Sequence, residues 1–233
     1  MPVIRNTLVF SFLGLATTPL PVAFAIVLSE FQSKAFQKVI QMTTTFPNFI
    51  SWIIVYSICM VSFSIDDGFV NKFLLQAGWI NQPLNILANN DIVWFLQTGI
   101  GLWKGLGFGS VIYFAAISGI DTELYDAAAV DGAGRFRRIW HIKIPGILPT
   151  YIISFMLSVG NILNSGFERY YIFYNPLVHD HIQVLDLYLY KIGIERGNYS
   201  FSTATGIFKT VVSVTLLLTV NMLARKITDR SIV

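Results

Sequence analysis

A single cysteine, Cys59, excludes an intrachain disulfide framework and any cysteine-based zinc site. Charge is equally scarce. Only 12% of the 233 residues are Asp, Glu, Lys or Arg, against roughly 25% in ordinary soluble domains. The net charge of +3 is too small, and too segregated along the chain, for a nucleic-acid binder. All 13 acidic residues fall in loops or at the edges of apolar runs. A proton-coupled carrier or an intramembrane aspartyl enzyme usually needs a carboxylate at mid-depth, so both classes are disfavoured. A G-x-x-x-x-G-K-[ST] phosphate loop is missing as well, and the chain therefore does not itself hydrolyse ATP.

What is abundant is apolar: 54% of residues are hydrophobic and the mean hydropathy is +0.61. A domain of this length cannot hide that much apolar surface from water, so its solvent is lipid. Five stretches are long enough to cross a bilayer as helices, at about 7–29, 46–64, 92–119, 147–166 and 206–224. The expectation is an all-α integral membrane bundle, 1–233 forming a single transmembrane domain. Pro19 and Pro21 should kink the first span. Pro47 and Pro149 stand near helix starts, where a missing N–H is tolerated.

Basic residues orient the spans. With 120–146 cytoplasmic, the inside holds Lys34, Lys38, Arg135, Arg137, Arg138, Lys143, Arg225, Lys226 and Arg230. The outside holds Arg5, Lys72, Arg169, Lys191 and Arg196, and Lys104 and Lys209 lie within spans. Five spans with the C-terminus inside leave the N-terminus outside without a cleavable signal pattern. This topology predicts at least one further span upstream of these residues, the alternative being a natural N-terminus on the outside.

One cytoplasmic segment stands apart. Asp121-Thr122-Glu123-Leu124-Tyr125-Asp126-Ala127-Ala128-Ala129-Val130-Asp131-Gly132 reads as a short helix with acids in its first turn, where the macrodipole favours them. Its alanines allow close approach of another surface, and Gly132 or Gly134 ends it. A second basic and aromatic helix follows and is expected to stop at Pro145.

The spacing resembles the EAA motif of ABC importer permeases, E-A-A, three residues, G, nine residues, I-x-L-P. Here Asp126-Ala127-Ala128, Gly132 and Ile142-Lys143-Ile144-Pro145 fall at those intervals, with Asp126 in place of the glutamate and Ile144 in place of the leucine. Asn6-Thr7-Leu8, Trp103-Lys104-Gly105-Leu106-Gly107, Tyr174-Asn175-Pro176-Leu177-Val178 and Ala204-Thr205-Gly206-Ile207-Phe208-Lys209 extend the likeness to permeases for oligo- or polysaccharides. The resemblance implies a type I importer bundle in a bacterial cytoplasmic membrane, with one helix before the Asn-Thr start. It implies a second permease subunit as a heterodimer, two ATPase subunits that bind ATP and Mg, and an extracytoplasmic sugar-binding protein. No cofactor or metal is expected on this chain. Residues of the 121–135 segment, namely Glu123, Tyr125, Asp126, Ala127, Ala128, Asp131, Gly132 and Arg135, would meet the ATPase. An importer for an amino acid or a metal, and a secondary carrier, are the rival readings.

Pathway candidates carry two readings each. Lys104 lines the pathway or bonds helix carbonyls. Gly160, Asn161 and Asn164 meet sugar hydroxyls, or the amides join helices. Trp52, Tyr56, Tyr113, Phe155 and Phe167 stack on sugar faces or face lipid, whereas Trp94 and Tyr170-Tyr171 read as belt residues. Lys209 should snorkel to the outer surface. If Lys104 and Lys209 face the solute, their charges would suit an acidic glycan such as a uronate polymer. Gly101, Gly105 and Gly109 share one helical face and are expected at a close helix contact. The segments 66–90 and 182–196 are the expected docking surface for the binding protein, or a lid over the bundle. His179-Asp180-His181 lacks further clustered ligands and is not read as a metal site.

Overall fold

The computed structural model describes residues 2–228, with side chains to residue 224. Arg225, Lys226 and Arg230, three of the inner charges, therefore lie outside the described side chains. Helices and the loops that join them make up the described residues, without a strand among them. In chain order the first are α1 (Pro2–Thr17), α2 (Pro19–Ser29), α3 (Lys34–Thr45), α4 (Trp52–Phe63) and α5 (Phe69–Gln76). Then come α6 (Val93–Ser118), α7 (Thr122–Val130), α8 (Arg135–Arg138) and α9 (Ile144–Gly160). The last are α10 (Glu168–Ile172), α11 (His179–Ile182), α12 (Leu185–Tyr190) and α13 (Tyr199–Thr228).

Among the described residues four helical runs are long and apolar enough to cross a membrane: Pro2–Ser29, Val93–Ser118, Arg135–Gly160 and Tyr199–Ala224. The first is interrupted at Thr18, ahead of Pro19 at the first position of α2, as the prolines predict. The stretch expected as a single span at 46–64 is divided instead. A 3-10 turn at Phe46–Phe49 extends α3, and α4 restarts after Ser51, whose hydroxyl accepts from the Ile54 amide. Pro47 is buried in that turn rather than opening a straight helix. The second basic helix does not stop at Pro145 either. A π-helical turn at Ile139–Lys143 carries it into α9, placing the proline, which has no N–H to donate, just beyond the widened turn. Pro149 thus lies inside a continuous helical run.

The chain forms two compact units, each built from three separate segments. The unit of residues 1–14, 50–100 and 161–213 has a core of Phe10, Val55, Val93, Tyr170, Ile182 and Leu187. Buried polar side chains tie its loops. Asn6 donates to the Asp180 and Gln183 carbonyls at 2.9 and 3.1 Å, and the Thr7 hydroxyl accepts from the Leu185 amide at 2.9 Å. Asn71 does the same for the outer loop, donating to the Ser64 and Leu84 carbonyls and accepting from the Leu84 amide. Such buried amides stay satisfied because the backbone groups they meet would otherwise be orphaned.

The other unit, residues 15–49, 101–160 and 214–233, has Ala25, Tyr113, Ile117 and Ile147 at its core. Here α3 crosses α6 with no side chain between them. A Cβ added to Gly107 would collide with the Thr44 carbonyl and stand 2.6 Å from the Thr45 nitrogen. The tight approach is at Gly107 and not at Gly105 or Gly109 of the expected glycine face. Gly105 has nothing within 4 Å of such a Cβ, and Gly109 meets only the Pro21 ring at 3.6 Å. Helix α3 leaves Phe36, Val39 and Met42 exposed, with Phe46 of the following turn, the apolar stripe expected of a helix lying against lipid.

Candidate functional site

The candidate coupling segment forms a well-terminated surface helix. Asp121 caps α7, its carboxylate accepting from the Glu123 amide at 3.0 Å, and Glu123 places an acid at the positive end of the dipole. At the other end the Ala133 amide donates to the Ala128 carbonyl at 2.8 Å and the Gly132 amide to Ala129 at 3.1 Å. These two bonds are the Schellman arrangement, which requires a left-handed residue, and Gly132 has φ of +68°. Gly134 then stands at the N-cap of α8, so the two glycines serve successive helix ends.

Glu123, Asp126, Ala127, Asp131, Gly132 and Arg135 are exposed, while Tyr125 and Ala128 are half-buried. Leu124, Val130, Phe136 and Trp140 add exposed apolar surface; Val130 is 89% exposed. Outside the bilayer such a patch marks a docking surface. Burial pushes the Tyr125 hydroxyl above its usual pKa, and the nearby Glu30 carboxylate adds to the rise.

The expected pathway residues separate. Helix α9 ends at Gly160, six residues short of the expected span end, and 161–166 is non-helical. Exposed Asn161 and Asn164 stand in that segment, the Asn164 amide donating to the Asn161 Oδ1 at 3.0 Å. Phe167 follows, half-buried, its ring 4.3 Å from that of Tyr190 and 5.0 Å from that of Tyr171. Interrupted backbone of this kind at membrane depth is tolerated where it lines a cavity or is covered by protein.

The other candidates make internal contacts. Lys104 is buried and donates to the Pro47 and Asn48 carbonyls at 3.1 and 2.7 Å, holding the 3-10 turn after α3. Tyr113 is 5% exposed within a core. Gly160 faces Leu217, where a Cβ would lie 3.1 Å from the leucine side chain. Neither Tyr170 nor Trp94 behaves as a belt residue: Tyr170 is buried against Phe10, and the Trp94 indole donates to the His181 carbonyl at 2.8 Å. His181 in turn meets Asn90.

Lys209 does not snorkel. It pairs with Asp186, and the two side chains are only 12% and 17% exposed. The second Asp186 oxygen accepts from the Gly166 amide at 3.0 Å, so one carboxylate pins α13 to the end of the interrupted segment. Asp186→Ala is expected to destabilise the protein by about 3 kcal/mol, because it strands a buried ammonium. Asp186→Leu with Lys209→Met should recover most of that loss in a thermal melt of the detergent-solubilised protein. Equal destabilisation by the single and double variants would show that the pair itself is unimportant.

Two further features were not legible in the sequence. Arg169 packs over the Tyr170 and Trp52 rings and donates to Gln97 through Nε at 3.0 Å and through Nη2 to its carbonyl. Glu30, at the C-cap of α2, receives both Lys143 and Arg135. The available signal for Glu30 was an acid directly at the end of an apolar span.

A multi-spanning helical bundle with an exposed EAA-type helix defines the membrane component of an ABC importer, a transport subunit of the bacterial inner membrane whose ATPase is a separate polypeptide. The family of binding-protein-dependent transport system inner membrane components matches residues 17–232, and the chain belongs to it. Protein LplB of Bacillus subtilis (strain 168) is 38% identical over 226 residues, covering 96% of this chain and 70% of that one. The polygalacturonan/rhamnogalacturonan transport system permease protein YteP of the same organism is 36% identical over 232 residues, covering 98% and 71%. A chain of a bacterial alginate ABC transporter, solved with an alginate pentasaccharide-bound periplasmic protein, superposes with a TM-score of 0.93 at 33% identity. That match covers 99% of this chain and 80% of the solved one.

Proposed function

We propose that this chain forms part of the translocation pathway for an acidic oligo- or polysaccharide, paired as a heterodimer with a second permease subunit. Two ATPase subunits holding ATP and Mg dock on it, and an extracytoplasmic binding protein delivers the sugar. The observation that carries the coupling role is the exposed, doubly capped helix α7 with its apolar fringe. Glu123, Tyr125, Asp126, Ala127, Ala128, Asp131, Gly132 and Arg135 form or shape that surface. Closure of the ATPase dimer on ATP would draw α7 and its counterpart together and turn the cavity outward by rigid-body rocking.

The acidic substrate is supported by the relatives, one a polygalacturonan permease and one an alginate transporter. It no longer rests on Lys104 and Lys209, which are engaged by carbonyls and by Asp186. Asn161 and Asn164 are the proposed contacts to sugar hydroxyls, since an amide both donates and accepts. Phe167, with Tyr171 and Tyr190, offers ring faces for stacking. Lys104, Tyr113 and Gly160 are assigned to the scaffold.

The test is ATPase activity of the reconstituted complex with its binding protein, screened against uronate and neutral oligosaccharides. Stimulation by the uronate-loaded protein alone is the expected result. Stimulation by neutral sugars alone would overturn the substrate class. In proteoliposomes carrying the same complex, Asn161→Ala with Asn164→Ala is expected to slow solute uptake about tenfold through lost polar contacts, without loss of the ATPase subunits. Unchanged uptake would remove both residues from the pathway.

A further inference from the structure

Glu30 sits where a carboxylate is least welcome. It occupies the C-cap of α2, at the negative end of the helix dipole. Its oxygens face two cations of the coupling loop. Lys143, 7% exposed, donates to Glu30 and, at 2.8 Å, to the neighbouring Ser29 hydroxyl. Arg135 lies 3.8 Å from the second oxygen. The half-buried Tyr125 of α7 is close enough for the same carboxylate to act on its hydroxyl. One acid thus addresses the helix proposed to dock the ATPase, the start of α8, and the π-helical turn from which α9 rises.

The energies of these contacts differ. The Arg135 side chain is 65% exposed, so its pair is weak and screened. Lys143 is nearly buried, and breaking its pair would leave an uncompensated charge. The backbone connects α7 to α9 through 131–143, whereas α2 precedes the coupling segment by some ninety residues of chain. Any push on the loop reaches α9 covalently; Glu30 gives it a direct electrostatic route to α2.

Resting on the permease reading above, we infer that the Glu30–Lys143 pair is a latch that transmits displacement of the coupling loop to α2. Glu30 is a positioning residue: it touches neither nucleotide nor solute. Its removal should leave docking intact and waste ATP.

The measurement is solute imported per ATP hydrolysed, in proteoliposomes carrying the whole importer with its binding protein. Glu30→Gln and Lys143→Gln are each expected to retain the ATPase subunits at wild-type stoichiometry while this ratio falls about tenfold. Glu30→Lys with Lys143→Glu restores opposite charges across the same gap and should recover most of the loss. Glu30→Asp, one methylene shorter, should fall between wild type and Glu30→Gln, and it serves if the neutral variants fail to assemble. A wild-type ratio in Glu30→Gln would overturn the latch. So would a parallel fall of transport and hydrolysis, which a merely structural role would cause. Failure of the wild-type chain to bind any ATPase subunit would defeat the permease reading, and the latch with it.

Discussion

Gly107→Ala is expected to destabilise the protein by about 3 kcal/mol or more. In a thermal melt of the detergent-solubilised chain that is a fall of roughly 10 °C. The added methyl would collide with the Thr44 carbonyl group, and backbone, unlike the end of a flexible side chain, cannot swing aside. The only relief is to move α3 off α6. That movement also pulls the 46–49 turn from Lys104, whose ammonium needs the Pro47 and Asn48 carbonyls. Gly105→Ala is the control. It lies half a turn away in the same helix with nothing within 4 Å of the added carbon, and it should be neutral or slightly stabilising through better helix propensity. Matching melts for the two variants would refute the contact.

The second large effect belongs to the coupling helix. Ala127→Trp is expected to abolish co-purification of the ATPase subunits while leaving membrane insertion and the thermal melt unchanged. Ala127 is exposed in the middle of α7, so an indole there meets only the docked partner. Ala128→Trp should have the same effect on association but is the less clean variant. Ala128 is half-buried, and its carbonyl accepts the Schellman bond from Ala133. Normal recovery of the ATPase with Ala127→Trp would count heavily against docking on this face.

Much of the candidate coupling site was legible because its determinants are local. An Asp ahead of the first turn, an acid inside it and a glycine at the required interval specify a capped helix whatever surrounds it. The flanking prolines were read less well. Pro145 is expected to stop a helix, yet a π-helical turn at Ile139–Lys143 carries the chain past it. Pro47 looked like a helix start and instead sits in a buried turn. In each case the outcome depended on what the neighbouring backbone could accept: Lys104, distant in sequence, supplies the donor that steadies the 46–49 turn.

The candidate solute residues show the same division. Asn161 and Asn164 were singled out as polar residues in an apolar run, and they fall in a non-helical segment that periodicity could not reveal. Lys209 and Asp186 stood in a span and a loop with no sequence sign that they pair. Glycines at 101, 105 and 109 share a face by arithmetic, but Gly107 is the one against α3. Helical spacing tells which residues share a face; it does not tell which backbone comes up opposite.

Composition and spacing alone determined the solvent, the helical class, the want of an ATP-binding loop and the capped helix α7. These follow from bilayer thickness, backbone hydrogen bonding and cap chemistry, which act within a few turns of chain. Only the tertiary structure decided which charges are spent and which surfaces remain free. It assigned Lys104 to a turn, Lys209 to Asp186 and Lys143 to Glu30, and left Ala127 rather than Ala128 open to a partner. A buried charge takes whichever partner the fold brings within reach, and that choice is made by residues far apart in the chain.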